Sequence, residues 1–288
     1  MFLQVESYRI NVGDFLGKGV YGATYKTTVI NDKKVYAAKF LFPLVDSERS
    51  IERERKSFQI IKSLAHGCIP NIMCYHDFLT LEPSHSQYHQ VYQMLAQVTS
   101  DKHFSQEVPI TLILTEFVPG KDLKVLLNEG YVFPEEEMGK FISNMLSAIS
   151  ILQEKGIAHR DVKPANIILK DDKSEFVLVD FGLACYDEFS CLPGGSLDYM
   201  TNELIFCRGN NISLRSLAMV GDVFAVGITG YRLANRKFPF DRNNAGIYGV
   251  SSYQRPQYHS NQINNFLSRI IFDYYLGAGY LLEQWHNP

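Results

Sequence analysis

The chain has 288 residues, with 28 Lys and Arg against 31 Asp and Glu and a formal net charge of −3. Hydrophobic residues at 46% and charged residues at 20% are ordinary globular usage, which excludes wholesale disorder. No basic excess is present to neutralise a run of phosphates, so nucleic acid is not an expected partner. The length exceeds one average domain and predicts either two domains or one bilobal unit.

The first forty residues alternate apolar residues with turn signals and predict a strand meander. Its strands are Tyr8 to Leu16, Ala23 to Ile30 and Val35 to Leu41, with Asn31-Asp32-Lys33-Lys34 as the turn before the last. A helix follows over Ser50 to Leu64, where Ile51, Phe58, Ile61 and Leu64 share a face. Met73 to Leu81 and Thr111 to Phe117 read as two more strands. Between them, Glu82 to Pro109 is rich in Ser, Gln and His, and its Tyr88 to Val98 part suits strand or helix equally. Val118-Pro119-Gly120 marks a connector, after which the periodicity turns helical. Pro134 reads as a first helical position, and Glu135, Glu136 and Glu137 suit the positive end of the helix dipole. Phe141, Ile142, Met145, Leu146, Ile149 and Leu152 carry the apolar stripe, and Gly156 closes it. Ile167 to Leu169 and Phe176 to Val179 read as a hairpin, and the rest as mostly helix, ending in helices over Asn265 to Trp285.

The five cysteines form no C-x-x-C pair and read as reduced thiols of an intracellular, cytoplasmic protein. Met1 to Arg9 has no apolar run of signal-peptide length. Leu217 to Tyr231, interrupted by Asp222, reads as too short to span a bilayer, so no membrane span is expected.

Three motifs carry chemistry. Gly17-Lys18-Gly19-Val20-Tyr21-Gly22 lies between two strands, and glycines there let backbone amides approach phosphate oxygens. The strand setting argues against a dinucleotide fold, where this spacing opens a helix. The next strand carries Tyr36-Ala37-Ala38-Lys39, whose lysine needs an acidic partner or an anionic ligand. Ala37 points the same way as Lys39 and leaves room for a flat ring. The third motif is His159-Arg160-Asp161-Val162-Lys163-Pro164-Ala165-Asn166, followed by Asp180-Phe181-Gly182. Five fixed positions, each used at roughly 1/20, make a chance match about a one-in-ten-thousand event.

On these strings the chain, from about Tyr8 to Phe240, resembles the eukaryotic-type protein kinase family. The resemblance implies an α+β, bilobal protein kinase-like fold filling residues 1–288. Its N-lobe, about 1–117, is an antiparallel sheet with one main helix; the hinge is about 116–120, and the mostly helical C-lobe about 121–288. It further implies a serine/threonine protein kinase that uses ATP and Mg²⁺ on a protein substrate with a Ser or Thr acceptor. Lys163, two residues after Asp161, is what resembles the serine/threonine rather than the tyrosine class. By the same resemblance Asp161 is the catalytic aspartate, Lys163 and Lys39 hold phosphate charge, and Asn166 and Asp180 offer oxygens to Mg²⁺. Gly17, Gly19 and Gly22 cover the phosphates, and Leu16, Thr24 and Ala37 form a roof. Thr115 borders the pocket, with backbone groups of Glu116 and Val118 on the adenine edge. Asp122 is a ribose contact or an ordinary helix N-cap. Glu54 is the expected partner of Lys39, with Glu52 and Glu48 as competitors. Asp222 matches the aspartate that supports the catalytic loop, and Ser196 stands where the family usually has threonine. Arg160 resembles arginines that pair with a phosphorylated activation segment; Ser190, or a fixed charge from Asp187 or Glu188, is the candidate there.

The end of that segment reads Thr201-Asn202-Glu203 where the family has A-P-E, and the final helices offer Glu203 no evident arginine. Two alternatives stand beside the leading reading: a pseudokinase that acts as an ATP-binding scaffold, and a kinase-like small-molecule phosphotransferase.

Overall fold

The computed structural model describes residues 1–19, 21–30, 33–45, 48–64, 68–99, 104–187, 191, 194–210, 215–243, 247–257 and 260–287. Two compact units divide the chain. The first holds Met1–Ile69 and Met73–Val118, and the second holds Pro70–Ile72 and Pro119–Pro288.

The first unit is a six-stranded antiparallel sheet in the order β1-β2-β3-β4-β6-β5. Its strands are β1 (Phe2–Val5), β2 (Tyr8–Lys18), β3 (Gly22–Val29), β4 (Lys34–Leu41), β5 (Tyr75–Leu81) and β6 (Ile110–Glu116). β1 was not foreseen; it pairs Phe2 to Val5 against Tyr8 to Asn11 as a hairpin on the sheet's edge. Tyr36, Ala38 and Phe40 alternate into one buried face, together with Leu3, Val5, Ile10, Val12, Leu79, Leu81, Leu112 and Leu114. The sheet curls far enough for the Tyr8 hydroxyl to reach Asp77 of β5 at 2.7 Å.

Helices cover both faces. α1 (Glu48–Ser63) packs Phe58 edge-on to Tyr75, with centroids 5.6 Å apart. The segment left open between strand and helix is a helix, α2 (Tyr88–Ala96). Its Tyr88, Val91 and Leu95, at i, i+3 and i+7, are buried in the core beneath the opposite face. The Tyr88 hydroxyl donates to the Val108 carbonyl at 2.6 Å, which fixes the far end of the insert. The turn expected at Asn31-Asp32 lies outside the described residues.

The second unit is mainly helical, with a small sheet of β7 (Gly120–Asp122), β8 (Ile167–Lys170) and β9 (Phe176–Leu178). Its helices are α3 (Leu123–Asn128), α4 (Glu135–Glu154), α5 (Asn202–Asn210), α6 (Arg215–Asn235), α7 (Asn261–Phe272) and α8 (Ala278–His286). Pro134 is the N-cap of α4 rather than its first helical residue, and three glutamates fill the first turn. α6 is the core helix, with Val223, Phe224, Val226, Ile228 and Tyr231 all at most 1% exposed.

Its 21 residues extend beyond the run Leu217 to Tyr231 and meet the length and composition of a membrane span, a test that the buried core helix of a folded domain passes equally. The apolar stretch is 78% buried inside the unit, as in the core helix of a folded domain. α6 also extends past the apolar run to include Arg232.

The expectation of free cysteines is corrected. Cys68 pairs with Cys74 and Cys185 with Cys191, and Cys207 is the free thiol. A separation of six residues is no sequence signature.

Candidate active site

Within the first unit, β4 and α1 place one ion pair. Lys39 Nζ lies 2.6 Å from Glu54 Oε1, with the two side chains 19% and 5% exposed. Glu54 shares its helical face with Phe58, whose packing on β5 aims the carboxylate at the sheet. Glu52 is exposed to solvent, and the side chain of Glu48 lies outside the described residues.

Thr24 stands opposite both Gly17 on β2 and Lys39 on β4. Leu16, on β2, is 46% exposed. Ala37 faces Thr115, whose hydroxyl donates to the Ala37 carbonyl at 3.2 Å. The backbone amide of Glu116 is committed to the Cys74 carbonyl at 2.9 Å, which leaves its carbonyl rather than its N–H for an adenine edge. Val118 is buried at the end of the unit.

The three glycines of the loop differ. A Cβ on Gly22 would meet the Phe40 carbonyl oxygen at 2.5 Å, so packing alone demands glycine there. A Cβ added at Gly17 or Gly19 would meet no described atom within 4 Å beyond the adjoining residues. Their small size serves no internal contact, which suits close approach by a ligand.

Within the second unit, the catalytic-loop residues form one network. Asp161 Oδ1 accepts from the Ser196 hydroxyl at 2.8 Å. Asp161 Oδ2 accepts from Lys163 Nζ at 2.7 Å and from Asn166 Nδ2 at 2.8 Å. Lys163 Nζ also reaches Ser196 Oγ at 2.9 Å, so the serine bridges both charged groups. The Asn166 amide nitrogen further donates to the Asp161 carbonyl at 2.8 Å. Both contacts come from the Asn166 amide nitrogen, and its side-chain oxygen is the atom of ligand chemistry.

Asn166 and Asp180 stand at the same end of the β8–β9 hairpin, because Val179 N donates to the Asn166 carbonyl at 2.9 Å. Asp180 holds φ at +65° and accepts from Gly182 N at 3.3 Å. Arg160 holds φ at +68°. Two non-glycine residues in the left-handed region flank the site, and the bonds around them hold that strain.

Those bonds come from Asp222 and His159. Asp222 is 2% exposed and accepts the amides of His159 at 2.6 Å and Arg160 at 2.7 Å. Burial pushes its carboxyl up to about 7, against the pull of the two amides. The His159 ring takes the Asp161 amide on Nδ1 at 3.3 Å, so its proton sits on Nε2, 3.1 Å from the Val179 carbonyl. Complete burial also pushes the imidazole below its ordinary range, which keeps the ring neutral.

Asp122 caps α3: its Oδ1 accepts from Val125 N at 2.9 Å. Among the described residues no arginine pairs with Glu203; the Tyr274 hydroxyl donates to it at 3.3 Å. Arg160 Nη1 donates to the Leu183 carbonyl at 3.1 Å, while Ser190 and Glu188 lie outside the described residues. Asp187 accepts from Cys191 N through its carbonyl at 3.2 Å.

One supporting residue escaped sequence reasoning. Gly195 has φ +116°, and a Cβ there would meet the Arg160 carbonyl oxygen at 2.6 Å. Only glycine lets the chain pass so close to the catalytic loop and still deliver Ser196 to Asp161. Its place one residue before Ser196 was the available signal.

Residues 10–271 match the protein kinase domain family. The chain belongs to the protein kinase family. This kinase is 25% identical over 275 residues to an Aurora kinase of Encephalitozoon cuniculi (strain GB-M1), covering 91% of the chain and 87% of that protein. It is 27% identical over 255 residues to the serine/threonine-protein kinase pkn3 of Myxococcus xanthus, covering 83% of the chain and 40% of that protein. A CBL-interacting protein kinase 10 of Oryza sativa subsp. japonica is 26% identical over 278 residues, covering 91% and 52%. Apart from the first, the kinase therefore spans about half of these relatives' length or less.

Proposed function

We propose that this protein kinase transfers the γ-phosphoryl group of ATP to a serine or threonine hydroxyl of a protein, with Mg²⁺. The observation that carries the reading is the single network joining Asp161, Lys163, Asn166 and Ser196. Phosphoryl transfer needs positioning and charge neutralisation rather than covalent help, and this network supplies both.

Asp161 orients the acceptor hydroxyl and takes its proton as the new oxygen–phosphorus bond forms. Lys163 balances charge on the group in transit, while the bond to the β-phosphate oxygen breaks and ADP leaves. Ser196 keeps Asp161 and Lys163 in register. Lys39, held by Glu54, takes the α- and β-phosphates, and Gly17 and Gly19 admit the phosphate tail to backbone amides.

The donor set fits Mg²⁺: an amide oxygen from Asn166 and a carboxylate from Asp180, both hard ligands on one hairpin end. When bound, the metal neutralises charge on the phosphate oxygens. Serine/threonine choice is supported by Lys163 and by relatives whose names carry that class. The capping bond of Asp122 does not prevent its second carboxylate oxygen from serving the ribose.

The test is transfer of radiolabelled phosphate from ATP to generic protein substrates by the wild type and Asp161→Asn. The variant is expected to lose about 10²–10⁴-fold in kcat with little change in nucleotide affinity. Near-normal turnover in the variant would remove Asp161 from its role. Phosphorylation of small alcohols but of no protein would favour the small-molecule reading, and nucleotide binding without transfer would favour the scaffold.

A further inference from the structure

Arg232, near the C-terminal end of α6, is a cation with no carboxylate partner among the described residues. It is half-buried, its guanidinium lies over the Phe238 ring at 4.5 Å, and Nη1 donates to the Tyr199 hydroxyl. Its Nε is buried with no hydrogen-bond partner. Among the described residues no Asp or Glu forms an ion pair with it. A guanidinium has five N–H donors in a planar fork, so most of its capacity faces no protein acceptor.

A second arginine brackets the same turn. Arg242 Nη2 donates to the carbonyls of Asp198 at 3.0 Å and Met200 at 3.1 Å, and its guanidinium lies 5.0 Å from the Tyr248 ring centroid. The turn between them, Leu197–Tyr199, begins one residue after Ser196, which touches Asp161. Two guanidinium groups thus flank this turn, whose own Asp198 acts on Arg242 and Tyr199 but forms no ion pair with Arg232.

We propose that Arg232 is a specificity-determining residue that binds an anionic side chain, a carboxylate or a phosphate, on the segment presenting the acceptor hydroxyl. This rests on the protein kinase reading above. Tyr199 and Phe238 hold the guanidinium in place, which leaves its outer N–H groups for bidentate recognition. A tight turn advances about 2 Å per residue, which puts Arg232 on the order of 10 Å from Asp161. Extended peptide covers about 3.3 Å per residue, so the anionic residue falls about two to four positions from the acceptor.

The experiment uses labelled serine peptides carrying Asp, phosphoserine, Ala or Lys at each of those positions, with wild type, Arg232→Lys, Arg232→Gln and Arg232→Glu. Binding is read by fluorescence anisotropy and transfer by radiolabel, with thermal melting to confirm that each variant folds. Wild type is expected to favour an acidic peptide about 10-fold or more over its Ala counterpart at one position. Arg232→Gln should lose that preference, Arg232→Glu should turn it toward Lys, and Arg232→Lys should keep part of it. Preference for Asp and phosphoserine alike assigns the site to any anion, and preference for phosphoserine alone to a pre-phosphorylated segment. No acidic preference in wild type, or the same preference in Arg232→Gln and Arg232→Glu, overturns the proposal while transfer leaves the kinase reading standing. Acidic binding that follows Arg232 with no transfer to any peptide would sink the kinase reading instead.

Discussion

Asp222 accepts the backbone amide of Arg160 at 2.7 Å, and Arg160 is one of the two catalytic-loop neighbours with positive φ. A buried carboxylate in the core helix thus holds a strained turn of the loop that bears Asp161. Asp222→Asn keeps the size but points an NH₂ group at one of two amide donors. One buried amide then goes unpaired, at a cost of about 1–3 kcal/mol in a denaturation experiment.

The pH dependence has a definite sign. The Asp222 carboxyl is raised to about 7 in the folded protein, from 3.8 without burial. Between those values the folded chain binds the proton more tightly than the unfolded one. Stability from this group is full below the lower value and is lost as pH rises through the upper. Asp222→Asn should therefore flatten the slope of stability against pH between about 4 and 7. A slope that is the same in both proteins would place the titrating group elsewhere.

Ser196 bonds to Asp161 and Lys163 at once, and each bond has a charged partner. Hydrogen bonds to charged groups contribute about 1.5–3 kcal/mol. Ser196→Ala is expected to lower kcat by about 10–100-fold, at roughly 1.4 kcal/mol per tenfold. Ser196→Thr keeps the hydroxyl and should retain turnover within about threefold. Equal loss in both variants would show that the site rejects any change of shape there, and that the hydroxyl is not the operative group.

The His159 to Asn166 string was legible by its resemblance to the protein kinase pattern, and the structure joins Asp161, Lys163 and Asn166 of that string to Ser196 in one network. Asn166 and Asp180 were legible because an antiparallel hairpin joins them. Glu54 could be preferred by its helical phase with Phe58 and Ile61, but only the ion pair separates it from Glu52. The insert was not legible. Tyr88, Val91, Tyr92 and Leu95 fit a helix, yet aromatic and β-branched residues also suit a strand, and the buried face of the sheet decides between them. Arg232 lies one residue beyond the apolar run Leu217 to Tyr231, so the segment was read without it.

Lys39 and Glu54 give a prediction with two separable parts. Lys39→Met leaves a carboxylate that is 5% exposed without its cation, so stability should fall by about 1–3 kcal/mol. Nucleotide KM should rise in the same variant if Lys39 holds the phosphates as proposed. Glu54→Gln keeps a neutral acceptor for the lysine and should cost less stability while still lowering turnover. Thermal melts and initial rates on the two variants measure the two parts independently.

The cysteines separate the sequence expectation from the structure most directly. Cys185 is fully buried and Cys191 is 4% exposed, and Cys185 is bonded through its backbone in both directions to Ala158, just before the catalytic loop. The Cys185–Cys191 link therefore pins the start of the segment that leads to Ser196. Protein purified without reductant and denatured should titrate one thiol, Cys207, whereas reduced protein should titrate all five. Closing a loop this short contributes about 2 kcal/mol through the unfolded state. Cys191→Ser should lower stability by that amount under oxidising conditions and leave it nearly unchanged with a dithiol reductant present. Five thiols titrating in the unreduced protein would show that neither pair forms and would restore the reading of free cysteines.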